Sequence, residues 1–306
     1  MVGEKPNKNM SSKVIARIMG GLGNQMFCYA AARRMALAND AELVLDDETA
    51  FSRDHQYQRK YSLTAFTIAG RQATSAEKFK PFEQIRRKVA REISHRRPFE
   101  KRAYIDQFEG EGFDPRLLDR RVRDTLWLDG YWQGEGYFVD IADTIRADFK
   151  MAPITTQQDH DVASQMAATN SVAVHLRWFD NPGSKSRLNV SPDYYRSAFK
   201  VAVRRLESPH FFVFSDNPKA ARIAFDASSK KTTFVTHNST AHDGALADFR
   251  LMRYARHFII ANSSFSWWAA WLGEATDKLV IAPSTKTVTA PSWTLNGLLP
   301  KRWLKI

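Results

Sequence analysis

Cysteine is almost missing from these 306 residues, with Cys28 standing alone. That count excludes a disulfide within the chain, and one thiol does not make a cysteine-based metal site. Also missing is any run of about 18 apolar residues, so no segment is expected to cross a membrane. The opening MVGEKPNKNMSS lacks the apolar stretch of a secretory signal and reads as a disordered tail over residues 1–12. There is no internal repeat, low-complexity tract, zinc-finger spacing or RNP-like aromatic run, so nucleic acid is not expected as a partner. Together these absences fit a soluble, cytoplasmic globular protein.

What the chain has in excess is positive charge. Its net charge is +12 and its pI about 9.8, while 43% hydrophobic and 25% charged residues are ordinary for a protein with real cores. A basic balance suits anionic partners. Much of the excess lies in residues 84–102, QIRRKVAREISHRRPFEKR, where Ile85, Val89 and Ile93 repeat every four residues. Two readings stand: a solvated helix packed on its own domain, or a helix docked on an anionic membrane surface.

The pattern of apolar runs then sets the fold class. KVIARIM (13–19), a glycine turn, a helical stretch from Asn24 to Asn39 and AELVLDD (41–47) follow the order strand, turn, helix, strand of a parallel sheet. A polar, proline-bearing stretch between about 150 and 170 reads as a linker. The series then restarts with strands at 171–175, 211–215, 258–261 and 279–282. Helices are expected at 191–207, 245–256 and 264–273, the first capped by Ser191 with Pro192 at its first position. The expectation is an α/β protein of two Rossmann-like doubly wound domains, 13–152 and 153–306, facing a cleft at the carboxyl ends of their strands.

Polar residues gather where such strands end. GGLGNQMF (20–27) turns from strand to helix and directs backbone N–H groups into the cleft. It partly matches a dinucleotide fingerprint, with Asp46 about 20 residues on, but Met26 replaces the third glycine. A structural turn and an NAD site both remain open from these residues alone. VAVHLRWFD (172–180) brings His175, Arg177 and Asp180 to a strand end, and arginine grips phosphate bidentately. The plain alternative is a surface Arg–Asp pair beside a satisfied histidine. Ser215, Asp216 and Asp248 are candidates for a ribose or a guanine edge, or else solvated acids and turn residues. ANSSFSWW (261–268) opens a helix with Asn262, Ser263 and Ser264, an anion site or ordinary capping. Trp267, Trp268 and Trp271 are expected in the core, Trp267 and Trp271 on one face. The only Asp-x-Asp spelling, Asp159-His160-Asp161, falls in the linker and reads as surface polarity, so no metal site is expected.

GGLGNQMF, HLRWFD and IIANSSFSWWAAWL, in this order and spacing, resemble the bacterial α-1,2-fucosyltransferases of glycosyltransferase family 11. Shorter echoes, LVLDDETAF at 43–51 and GYWQGEGYFVD at 130–140, agree, and the likeness runs from about Val14 to Leu272. The resemblance implies a GT-B fold, GDP-fucose as donor, no metal or other cofactor, and inverting transfer to a hydroxyl of a galactose-containing glycan. It further implies that Arg177 grips the β-phosphate, that His175 contacts the nucleotide, and that Asp180 holds its loop or lines the acceptor side. Ser263, Ser264 and Phe265 would close over the phosphates, with Asp248 near the nucleotide. Gly21, Gly23, Asn24 and Gln25 would face the donor from the opposite domain. Asp46, Asp180 and His175 are the candidates for a general base. The family's usual H-x-R-R-x-D has Trp178 at its second arginine, which leaves linkage and acceptor open. An inactive nucleotide- or glycan-binding relative is the non-enzymatic alternative. Absence of an N-terminal anchor, as found in eukaryotic α-1,2 enzymes, points to a bacterial source, with peripheral contact at the inner membrane through residues 84–102.

Overall fold

A computed structural model describes residues 12–306 except 53, 55–56, 108–111, 180–188, 225–230, 239–241, 285–292 and 294. The chain runs β1 (Lys13–Arg17), α1 (Leu22–Ala38), β2 (Glu42–Asp46), β3 (Arg71–Gln72), α2 (Glu83–His95), β4 (Tyr104–Asp106) and β5 (Thr125–Asp129). Then come α3 (Ala142–Asp148), α4 (Gln157–Ala167), β6 (Ser171–Leu176), α5 (Pro192–Arg205), β7 (His210–Ser215), α6 (Pro218–Ala224) and β8 (Thr232–Phe234). It closes with α7 (His242–Met252), β9 (His257–Ile259), α8 (Ser264–Leu272), β10 (Val280–Ala282) and β11 (Leu304–Lys305).

These strands form two sheets, ordered β3-β2-β1-β5-β4 and β11-β10-β9-β6-β7-β8. Every pairing within them is parallel. Parallel strands covered on both faces need continuous apolar side chains. SVAVHL of β6 is buried at all six positions and HFFVF of β7 at five. The α/β expectation with two doubly wound sheets is therefore met. In α5, Ser191 accepts from the Tyr194 N–H at 3.3 Å and Pro192 occupies the first turn, as its sequence foretold.

One aromatic assembly joins the helices of the two sheets. Trp267, Trp268 and Trp271 of α8 are each at most 1% exposed, and the rings of Trp267 and Trp271 stack at 6.3 Å. Phe27 of α1 reaches across, 4.6 Å from the Trp267 ring and 4.9 Å from Trp268. Phe138 stacks on Trp268 at 5.2 Å, and Phe149 meets the same ring edge-on. The core expectation for these tryptophans holds, and it explains why α1 is apolar almost all round: this helix is clamped between its sheet and α8.

Two expectations change. The stretch expected as a linker holds α4, capped by Thr156, whose hydroxyl accepts from the Asp159 N–H at 3.1 Å. Asp159 is not surface polarity. It is 2% exposed and its carboxylate takes a 2.8 Å contact from His237 Nε2. Burial pushes its pKa up, but hydrogen bonds from His237, Thr156 and Asn238 outweigh this and hold it below the ordinary aspartate value. Asp161, two residues on, bonds to exposed Gln157 instead. Helical neighbours at that spacing point apart. Among the described residues no group of three or more His, Cys, Asp or Glu could hold a metal ion, and no helix is long and apolar enough to cross a membrane.

Candidate active site

A cleft of about 740 Å³ lies between the sheets at their carboxyl ends. From the second sheet, β6 delivers His175 and Arg177, β7 delivers Ser215 and Asp216, and β9 leads into Asn262, Ser263 and Ser264. From the first sheet come Gly21, Gly23, Asn24 and Gln25 at the start of α1. Asp248 on α7 and Phe265 on α8 complete the expected set. Asp180 lies outside the described residues.

The helix starts define the electrostatics. α1 begins at Gly21, which has no side chain to cap it, and α8 begins at Ser263, whose hydroxyl makes no capping bond. The N–H groups and positive dipole ends of both helices are thus left for whatever occupies the cleft. The two starts press together at Gly23. A Cβ there would stand 2.3 Å from the Ser264 carbonyl carbon and 2.6 Å from the Phe265 nitrogen. Gly23 therefore serves helix contact, whereas Gly20, at φ 76, serves the turn itself.

Arg177 is held by Asp216: the guanidinium pairs with one carboxylate oxygen, and the Trp178 N–H donates to the other at 3.2 Å. The Phe179 ring lies 5.3 Å from the guanidinium carbon. Burial raises the Asp216 carboxyl pKa, against the pull of Arg177 and the Trp178 N–H. His175 is buried against Phe265, with ring centroids 5.3 Å apart, and its Nδ1 has no partner among the described residues. Burial, aided by Arg177, pulls its pKa down to about 3, so the ring is neutral at pH 7. Asp248 accepts from Asn238 Nδ2 at 2.8 Å, and burial lifts its pKa to about 6.

Two expected residues do different work. Gln25 is fully buried and spends both ends of its amide on the chain. Its Nε2 donates to the Gly20 and Lys60 carbonyls at 2.8 and 2.9 Å, and its Oε1 accepts from the Ser62 N–H at 2.8 Å. It braces the glycine turn against the 60–62 segment. Asp46 is not brought to the cleft wall. It is 1% exposed, and its carboxylate accepts from Thr49, from the Glu48 and Thr49 N–H groups, and from Arg87 at 3.1 Å. A carboxylate so engaged has no oxygen left to receive a substrate proton.

Sequence reasoning missed Arg59 and Lys60, which line the cleft from a segment without periodicity. Arg59 lies over the Tyr57 ring, 4.3 Å from its centroid, and its Nε would be 3.8 Å from a Cβ on Gly21. Tyr131 and Gln133 also line it, and Gln133 Nε2 donates to Asn24 Oδ1 at 2.9 Å. Both belong to GYWQGEGYFVD, one of the stretches that carry the family resemblance.

The sequence model of Glycosyl transferase family 11 matches residues 13–292. An alpha-1,2-colitosyltransferase of Escherichia coli is 28% identical over 96% of this chain and 99% of its own length. The O-antigen biosynthesis glycosyltransferase WbnK, also from Escherichia coli, is 28% identical over 87% of this chain and 92% of its own. Among solved structures, a FUT1 variant of Arabidopsis thaliana in complex with GDP aligns with TM-score 0.55 at 14% identity, covering 94% of this chain and 73% of that one. NodZ alpha-1,6-fucosyltransferase soaked with GDP-fucose aligns with TM-score 0.50 at 15% identity, covering 86% and 92%. The fold is GT-B. With the family's sequence model matching over this span, the chain belongs to glycosyl transferase family 11.

Proposed function

We propose that this glycosyltransferase moves L-fucose, or the closely related 3-deoxy sugar colitose, from its GDP-linked form to a galactoside hydroxyl, forming an α-1,2 bond with inversion. The observation that carries the reading is Arg177, held by Asp216 in a cleft that two uncapped helix N-termini also line. Displacement at the anomeric carbon develops negative charge on the departing diphosphate. Fixed cations and N–H dipoles aimed at that charge lower the barrier without reorganising. Arg59 adds a cation from the opposite wall, which supports diphosphate binding although Trp178 replaces the family's second arginine. Asp248, next to Asn238, suits the N–H donors of a guanine edge.

His175, neutral with a pKa near 3, is too weak a base to take a proton at neutral pH, so its role is to bond the nucleotide through a ring nitrogen. Asp180 is the proton acceptor proposed where a side chain serves as base; the alternative is transfer driven by the departing diphosphate without one. The relatives argue for both donor sugars, since one carries colitosyl transfer in its name and a structural neighbour was soaked with GDP-fucose.

The deciding experiment offers GDP-fucose and GDP-colitose with a panel of galactosides and measures GDP release, with and without EDTA. Turnover with one of the two donors, surviving EDTA, is expected. GDP binding without release on every acceptor would instead favour a non-catalytic binder, for which Trp178 is the motivating difference. Loss of activity to EDTA, restored by Mn²⁺, would overturn the metal-independent reading.

A further inference from the structure

Helix α2 is built inside out. Its inward side is polar: Arg87 reaches Asp46 at 3.1 Å and Thr49 at 3.0 Å, His95 meets Asp106 at 2.6 Å, and Ser94 accepts from the Tyr104 N–H at 2.8 Å. Its outward side carries the apolar row. Ile85 is 66% exposed, Val89 50% and Ile93 50%, and Phe82 just before the helix is 72% exposed. A surface helix ordinarily turns such a stripe to the core. Here the helix does pack on its own domain, but through ion pairs and hydrogen bonds on its polar side, while the apolar row takes no part.

Phe82 sharpens the case. Its backbone sits in the left-handed region at φ 65, where a bulky side chain is an outlier that surrounding structure must hold in place. The result is a fourth apolar group on the solvent side. Around the row stand exposed Arg86, Lys88, Arg96 and Arg97, and residues 84–102 contain eight Lys and Arg against two Glu.

We propose that α2 lies flat on an anionic bilayer surface. The Phe82–Ile93 row enters the boundary between headgroups and acyl chains, and the flanking cations reach lipid phosphates. Charge decides for this occupant over a second copy of the chain. A two-fold dimer would set the same patch against itself, arginine opposing arginine. The helix is also only about 20 Å long, a short row for an interface that must overcome this repulsion. Arg87 ties the helix to Asp46 and Thr49 at the carboxyl end of β2, the end of the sheet that opens toward the cleft. Docking through α2 therefore holds the first sheet at the membrane surface, where a lipid-linked acceptor would be presented. The docking itself does not depend on which sugar is transferred.

The test is flotation of the full chain with vesicles of phosphatidylcholine alone and with about 30 mol% phosphatidylglycerol added, at about 0.1 and 0.5 M NaCl. Binding to the anionic vesicles alone, reversed by the higher salt, is expected. Ile85→Asp with Val89→Asp should weaken it at least about tenfold. The melting temperature and turnover on a water-soluble galactoside should stay at wild-type level, since both side chains face outward. Arg86→Gln with Lys88→Gln should weaken anionic binding by about 30-fold. Equal binding to both vesicle types, or wild-type binding by either variant, would overturn the proposal. So would sedimentation velocity giving a wild-type dimer and a monomeric Ile85/Val89 variant, which would assign the face to a second copy.

Discussion

Replacing Gly23 by alanine should both destabilise the protein and disable transfer. The new methyl carbon would lie 2.3 Å from the Ser264 carbonyl carbon, 2.5 Å from its oxygen and 2.6 Å from the Phe265 nitrogen. Ordinary contact needs about 3.5 Å, so the starts of α1 and α8 must part by about 1 Å. All three opposing atoms are backbone, which leaves no side chain to swing away. The helices cannot part freely either, because Phe27 is wedged on Trp267 and Trp268. Forced overpacking of this kind costs about 1–3 kcal/mol, which in a chain of this size lowers the melting temperature by roughly 2–5 °C. The larger effect falls on chemistry, since a misplacement of about 1 Å in a reacting geometry costs on the order of 100-fold in rate. Scanning fluorimetry and GDP-release kinetics read the two effects separately. Gly21→Ala is the control for stability: its Cβ would find nothing nearer than Arg59 Nε at 3.8 Å, and its backbone is already extended, so its melting temperature should stay near wild type. A Gly23→Ala protein with unchanged melting temperature and turnover would refute the reasoning.

Other substitutions probe the charges and the core. Arg177→Ala should lower kcat by at least ~100-fold, the scale of losing one strong transition-state donor, and near-normal single-turnover rates would remove the arginine from the chemistry. Asp248 has a folded-state pKa of about 6 against an ordinary 3.8, so it stabilises the empty protein below that window and loses this contribution as pH rises through it. Asp248→Asn should therefore raise stability at pH 7–8 by about 2 kcal/mol, measured by urea unfolding, while flattening the pH dependence of GDP affinity. In the unaltered protein, calorimetric titration should give GDP affinity that falls as pH drops below about 6, because guanine N–H donors favour the ionised carboxylate. A pH-independent affinity would move Asp248 away from the base. Trp268→Ala, emptying a fully buried ring site among Phe27, Phe138 and Phe149, should cost about 3–5 kcal/mol in the same unfolding assay.

Much of the architecture was legible because parallel strands buried on both faces leave unbroken apolar runs, as in SVAVHL and HFFVF. Short edge strands were not. β3 and β11 each span two residues, too short for any periodicity to register. Arg59 went unnoticed for a related reason: it stands in irregular chain, and only the folding of that segment onto Gly21 and Gln25 brings it to the cleft. Asp46 misled because a carboxylate at the end of a strand looks alike in one dimension whether it meets ligand or Arg87.

By itself the sequence determined the strands and helices that carry the motifs, the glycine turn, the arginine at the end of β6 and the family, since each is written in local pattern or in spaced motifs. The tertiary structure decided what those residues touch. Gly23 is required by the backbone of a helix some 240 positions away, and Gln25 is consumed by carbonyls on either side of it. Asp159 turns inward because His237 waits there. The sharpest case is α2. Periodicity reveals that a helix has an apolar side but not which way that side turns, because direction depends on partners elsewhere in the chain. Here Asp46 and Asp106 bind the polar side, and the apolar row is left facing out.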